Sequence, residues 1–208
     1  MQSSQCTVSV RCFKGVVWGL LVVLAPLTSS KESVAATLLL SNHASVPEGV
    51  PNQFVHVSAT SDVNDAPYYA VTITTMGGDV EIVELAFTLT DVTGISPLSD
   101  FSDYDFGIDS NFNLDITAAE QVANVVTATA TRITINGFSS LRMIDGQATP
   151  FVLEMDVNSV TLGDRFTIDL APAGIQAISG SNPVAVIGES FSPTHISRQD
   201  SWSDANGR

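Results

Sequence analysis

Alternation of apolar and polar residues with a period of two recurs from about Gln53 to Ile187, and no other feature restricts the fold as strongly. Successive side chains of a strand point to opposite faces, so this pattern marks strands with one buried side. "FVHVSA" sets Val55 and Val57 against His56 and Ser58, and "YYAVTITT" places Tyr69, Val71 and Ile73 opposite threonines. In "VEIVELAFTLT" the residues Leu85, Phe87 and Leu89 share a face. The phase slips near Ile82 and Val83, which predicts a β-bulge. "PFVLEMDV" directs Phe151, Leu153, Met155 and Val157 one way and Val152, Glu154 and Asp156 the other. "DRFTIDL" repeats the pattern with Phe166, Ile168 and Leu170.

Turn formers separate these runs: Gly77-Gly78-Asp79, Asn136-Gly137, Asp145-Gly146, Gly163-Asp164 and Gly180-Ser181-Asn182-Pro183. Roughly eight to ten short strands, each with one polar face, predict an all-β chain forming a single β-sandwich. A closed barrel is the alternative. The sequence shows no amphipathic helix of useful length, no Rossmann or P-loop glycine pattern, and no repeat that would divide the chain.

The ends read differently from the middle. Arg11 and Lys14 precede an apolar run of thirteen residues, Gly15 to Leu27, and a polar segment that ends in the small residues Val34-Ala35-Ala36. Residues 1–36 are therefore expected to be a secretory signal peptide. Thirteen residues rise only about 20 Å as a helix, against roughly 30 Å of hydrocarbon core, and no later segment reaches spanning length. The domain expected to follow covers residues 37–195, and the polar, aperiodic stretch 196–208, which contains Trp202, is expected to be disordered. Cleavage after Ala36 removes Cys6 and Cys12, so no disulfide staples the remainder. An apolar core or a bound ion must stabilise it.

The chain carries a formal charge of −14. Without residues 1–36 it keeps five arginines, no lysine and 21 acids, a formal charge of −16. Such a surface repels nucleic acid and anionic lipid and attracts cations, so polyanion partners are disfavoured.

One stretch breaks the apolar pattern. "IDSNFNLDITAAE" places Asp109, Asn111, Asn113 and Asp115 at every second position, followed by Thr117 and Glu120. Calcium takes six to eight oxygens, and a chain can wrap them around the ion from alternate positions. Taking Asp109 as position 1, the others fall at 3, 5, 7, 9 and 12, with Ile116 as the apolar residue at position 8. From Asp109 to Glu120 the sequence resembles the EF-hand and dockerin type of calcium loop. The resemblance implies Ca²⁺ as the ion, with Asp109, Asn111, Asn113, Asp115, Thr117 and Glu120 supplying oxygens. Position 6 departs from it: such loops use Gly for a turn of positive φ, and this chain has Leu114. A competing reading needs no ion. Asp and Asn at alternate positions bond their own backbone, and Thr117-Ala118-Ala119-Glu120 fits a capping box. Strand-like runs flank the loop, so it is expected as an insertion in the sandwich. The layout as a whole is similar to modules of large secreted bacterial surface proteins.

Catalytic signatures are absent from the sequence. His43, His56 and His195 are widely spaced, with no HExxH or HxxxH pattern, and no GxSxG occurs. Glu81, Glu84 and Glu154 are expected on a solvated strand face, and Asp100, Asp103 and Asp105 toward water. The chain is expected to be a non-enzymatic module of an extracellular or cell-surface assembly, with a protein partner or self-assembly. Polysaccharide binding is an alternative, which requires Tyr68, Tyr69, Tyr104 and Trp202 to cluster on an exposed face. A third reading has the N-terminal arm around Leu38-Leu39-Leu40 pair with the edge of a neighbouring subunit and build a filament by strand addition. Its simpler counterpart makes those residues the first strand of their own sandwich.

Overall fold

A computed structural model of the chain describes residues 35–54, 60–123, 125–138 and 141–198. One sheet contains β1 (Thr37–Asn42), β2 (Ser61–Met76), β4 (Phe101–Ile108), β8 (Ala148–Val160) and β12 (Ala185–Gly188), in the order β12-β1-β2-β8-β4. The second is built around β3 (Val80–Thr93), with β5 (Val125–Thr129), β6 (Arg132–Asn136), β10 (Ile175–Ser179) and β11 (Asn182–Pro183), in the order β11-β10-β3-β6-β5. β7 (Arg142–Met143) and β9 (Arg165–Asp169) also pair with β3, and β13 (Thr194–Ile196) pairs with β9. Every strand pairing among the described residues is antiparallel except β1 with β12. The fold is the expected β-sandwich.

The inward faces follow the alternation. Leu85, Phe87 and Leu89 of β3, Phe151, Leu153, Met155 and Val157 of β8, and Phe166, Ile168 and Leu170 are all buried. Phe106 and Phe151 stack at 5.4 Å. Phe54, Tyr68, Phe166 and His195 form a cluster of edge-to-face and tilted ring contacts. The phase slip is real: Glu84 pairs with Gln176 and Ile82 with Ala177, so Val83 is the extra residue of a bulge.

Two expectations about strand size need correction. Thirteen strands occur among the described residues, because two- and three-residue pairings at β7, β11 and β13 carry no sequence period. β2, β3 and β8 are long, at 16, 14 and 13 residues. Register shifts let them bend without ending. One of these, between Pro67 and Tyr69, buries the consecutive residues Tyr68 and Tyr69 together.

β1 lies between β12 and β2, with Leu38 and Leu40 in the core, so Leu38-Leu39-Leu40 is a strand of its own sandwich. At the other end of the domain the sheet runs past His195. Ile196 belongs to β13, Ser197 is buried, and the Asn52 amide bonds both backbone groups of Ile196, at 2.7 and 2.8 Å. Residues 1–34, which hold nearly all of the expected leader, and 199–208, with Trp202, lie outside the described residues. Val55, His56, Val57 and Ser58 do as well. No helix among the described residues is long and apolar enough to cross a membrane.

Candidate functional site

The polar loop leaves β4 at Ile108, whose Cα pairs with Phe151, while the Asp109 N–H donates to Pro150 O at 3.1 Å. Asp109 is fully buried, and its two carboxylate oxygens accept the backbone N–H groups of Asn113 and Leu114 at 3.1 and 3.0 Å. Asn111 Oδ1 accepts the Asn113 N–H and Asn113 Oδ1 the Asp115 N–H, both at 3.0 Å. Each acceptor closes a short turn over the next two residues. In both of these turns the residue between acceptor and donor passes through positive φ. Phe112 has φ +61° and Leu114 φ +64°. Leu114 is position 6 of the calcium-type numbering, so the turn that glycine usually makes there is made by leucine.

Glu120 closes the loop from its other end. One carboxylate oxygen accepts the Ser110 N–H at 3.1 Å and the Ser110 hydroxyl, and the other accepts the Thr117 N–H at 3.3 Å and hydroxyl at 2.8 Å. These bonds, those of Ser110 first, hold its carboxyl below the usual range. The Glu120 and Gln121 N–H groups both donate to Thr117 O, at 2.8 and 3.1 Å, so Thr117 to Glu120 make one helical turn with Glu120 reaching back to cap it. The loop thus combines a positive φ at Leu114 with the capping arrangement at Glu120.

Three contacts press the loop onto the sandwich. The Ile116 N–H donates to a Glu154 carboxylate oxygen at 3.0 Å, and Ile116 packs with Val50, Ala70 and Val152 in a second small apolar cluster. A Cβ on Gly107 would stand 2.6 Å from Glu120 O and from Ile116 Cγ2, so β4 admits the loop only because residue 107 is glycine. His43 is fully buried. Its Nδ1 accepts the Ser45 N–H at 3.2 Å, which puts the neutral ring's proton on Nε2, facing Asp109 Oδ2 at 3.4 Å. Burial pulls the His43 imidazole below its ordinary range, with the Asp109 charge opposing.

The loop's cover explains a correction. Glu154 was expected on a solvated strand face, yet it is 4% exposed, because the second face of β8 is roofed by residues 43–50 and 109–120. Burial pushes its carboxyl up to about 7, helped by the charges of Asp115, Asp105 and Asp65 and opposed by the Ile116 N–H. Asp105, opposite it on β4, is bonded by the Gln121 amide and raised by burial and by Asp103, Asp65 and Asp156. Asp103 is exposed, and Asp100 ties down its own turn through Ser96 and Ser99. Glu81 is exposed, and Glu84 pairs with Arg132 at 3.1 Å.

The six loop residues stay within one short segment, with Asn111, Asn113, Asp115 and Thr117 exposed and Glu120 partly so. The Asp109 and Glu120 carboxylates turn to different partners. No group of three or more His, Cys, Asp or Glu side chains placed to share a metal occurs among the described residues. Sequence reasoning missed His43 and Glu154 as neighbours of the loop. Both arrive from distant segments with no local signal.

Tyrosines do not form a platform. Tyr68 and Tyr69 are buried, and Tyr104 packs against the core, so the exposed ring cluster needed for the sugar reading is absent among the described residues. His195 is a core histidine, accepting the Gln53 N–H on Nδ1 and meeting Tyr68 O through Nε2.

No family model and no curated protein matches the chain. Among solved structures, it is similar to CaCohA2 from Clostridium acetobutylicum, at 14% identity and a TM-score of 0.37, covering 79% of this chain and 92% of that one. It is similar to the third cohesin ScaC, in complex with the ScaB dockerin, from Acetivibrio cellulolyticus, at 15% identity and 0.35, covering 78% and 100%. The same range takes in AvmM, which catalyzes macrocyclization in alchivemycin A biosynthesis, at 9% identity and 0.29, covering 78% and 86%. Scores this low, spanning binding modules and an enzyme, select no partner and no activity for this chain.

Proposed function

We propose that the chain is a non-catalytic β-sandwich module of an extracellular or cell-surface assembly, with calcium held at the 109–120 loop as a stabilising ion. The observation that carries the non-catalytic reading is the use made of the buried ionisable groups. Glu154, Asp109, Asp164, His43 and His195 each accept a backbone N–H that fixes a loop or strand end. A carboxyl raised to about 7 is a frequent mark of an active site. Here Ile116 lies over it. Two surface depressions among the described residues, of about 440 and 330 Å³, are lined elsewhere, by Asp79, Glu81 and Arg142 and by Val83, Ile175 and Val184.

What supports calcium is the positive φ at Leu114 together with oxygen-bearing residues at positions 1, 3, 5, 7, 9 and 12. Asp109, Asn111, Asn113 and Asp115 would offer side-chain or carbonyl oxygens. Glu120 would reach an ion by releasing the hydroxyls of Ser110 and Thr117. A secretory leader over residues 1–36 belongs to this proposal, since extracellular calcium suits modules that bind at roughly 10⁻⁴ to 10⁻³ M. A polysaccharide panel, assayed for binding and for new reducing ends with calcium and with chelator, tests the reading. Neither binding nor turnover is expected. Turnover would overturn the non-catalytic assignment, and binding would favour the carbohydrate alternative.

A further inference from the structure

The edges of the two sheets are not equally guarded. An edge strand offers unpaired N–H and C=O groups to any second strand, and proteins blunt such edges with charges, proline, bulges or short length. β4 carries Asp103 and Asp105, shifts register between Ser102 and Asp105, and is bridged at Gly107 by Gln121. β11 is two residues long and contains Pro183, and β12 has four residues and ends on Gly188. β7 has two residues and β13 three. β5, "VVTAT", has none of these devices. It is a five-residue edge with no charge, no proline and no register shift, bonded among the described residues on one side only, by β6.

We propose that β5 pairs antiparallel with β5 of a second copy of this chain, about a two-fold axis at Thr127, joining two sheets into one. Self-complementarity names the occupant. Val126 and Ala128 face the core side, while Thr127 and Thr129 are exposed. With Thr127 opposite Thr127, each Val126 meets the other copy's Ala128, large against small, and two threonines face each other, a favourable cross-strand pair. Charge points the same way. At a formal charge of −14 two copies repel wherever carboxylates meet, and β5 is a strip without one. Two-fold pairing of one patch with itself is also the commonest closed assembly. This names one partner for the assembly reading and is independent of the calcium loop.

Sedimentation equilibrium of the full chain at 0.15 M salt, over about 10⁻⁶ to 10⁻³ M, tests it. A mass rising to twice that of the chain is expected. Thr127→Lys, an exposed substitution that sets two ammonium groups face to face, returns a single-chain mass, with the melting temperature that wild type shows at concentrations where it too is a single chain. Thr127→Cys, in a Cys6→Ser/Cys12→Ser background, cross-links under mild oxidation, because opposed Cα atoms about 4.5–5.5 Å apart suit a disulfide. Thr88→Cys does not. A single-chain mass at every concentration, a dimer that Thr127→Lys leaves intact, or no Thr127→Cys cross-link overturns the proposal. A null calcium response leaves it standing.

Discussion

The Glu154 carboxylate, 4% exposed on β8, accepts the backbone N–H of Ile116 at 3.0 Å across 38 positions of chain. This bond ties the polar loop to the sandwich and makes its attachment sensitive to pH. Burial raises the Glu154 carboxyl to about 7 from 4.5. The folded state therefore binds a proton before the unfolded state does, and stability rises as pH falls from about 7 toward 4.5. His195 acts oppositely. Burial lowers it to about 4 from 6.5, so the unfolded state takes the proton first and stability falls below pH 6.5. Melting temperature should rise as pH falls from 8 to about 6.5 and stop rising below it, where His195, and His43 with it, oppose Glu154. Glu154→Gln, which keeps an acceptor for Ile116, should melt higher than wild type at pH 8 and lose the rise between pH 8 and 6.5.

Gly107 sets how closely the loop can lie on β4. A Cβ at 2.6 Å from Glu120 O forces the loop outward, so Gly107→Ala should cost about 1–3 kcal/mol, a typical overpacking penalty. Calorimetric melting reads this directly. Hydrogen exchange should quicken at the Ile108 N–H, which donates to Glu120 O, and at the Val122 N–H, which donates to Phe106 O.

Leu114 sits at φ +64°, where a branched side chain is strained by about 1–3 kcal/mol. Its partly buried side chain packs on Val152 and its neighbours, recovering about 1 kcal/mol. Leu114→Gly should thus leave the calcium-free melting temperature within a few degrees of wild type. Because the calcium-free loop already holds this φ, the strain is common to the free and bound states, and an isothermal titration should give Leu114→Gly a calcium affinity within a few-fold of wild type.

Asn52 holds the last described strand. Its side-chain amide bonds the Ile196 N–H and C=O and the Phe54 N–H. Asn52→Ala leaves these groups unpaired, at about 1–3 kcal/mol for each one that stays buried. Amide exchange at Ile196 should accelerate well beyond that at Phe166 in the strand beside it, a contrast that distinguishes local release of β13 from global destabilisation.

Much of the sandwich was legible because strand alternation is a local property. Leu85, Phe87 and Leu89 face inward as their spacing requires, and Val83 is the bulge its phase slip implied. The need for positive φ at Leu114 was legible too, from its place in the loop count. Glu154 was not. Alternation assigns it to the second face of β8, and whether that face meets water depends on residues 43–50 and 109–120, brought there by tertiary packing. The same holds for the His43–Asp109 contact, across 66 positions, and for Tyr68, which a register shift turns inward beside Tyr69. Period predicts faces. It does not predict what covers them.

The most direct test of the loop is calorimetric melting of the purified protein in calcium and in chelator. At free calcium about ten times the dissociation constant, binding adds about 1.4 kcal/mol. That corresponds to a rise of roughly 3–6 °C for a domain of this size. The account predicts this rise for the wild-type chain and its loss in Glu120→Gln. Superimposable melting curves in the two conditions would contradict it.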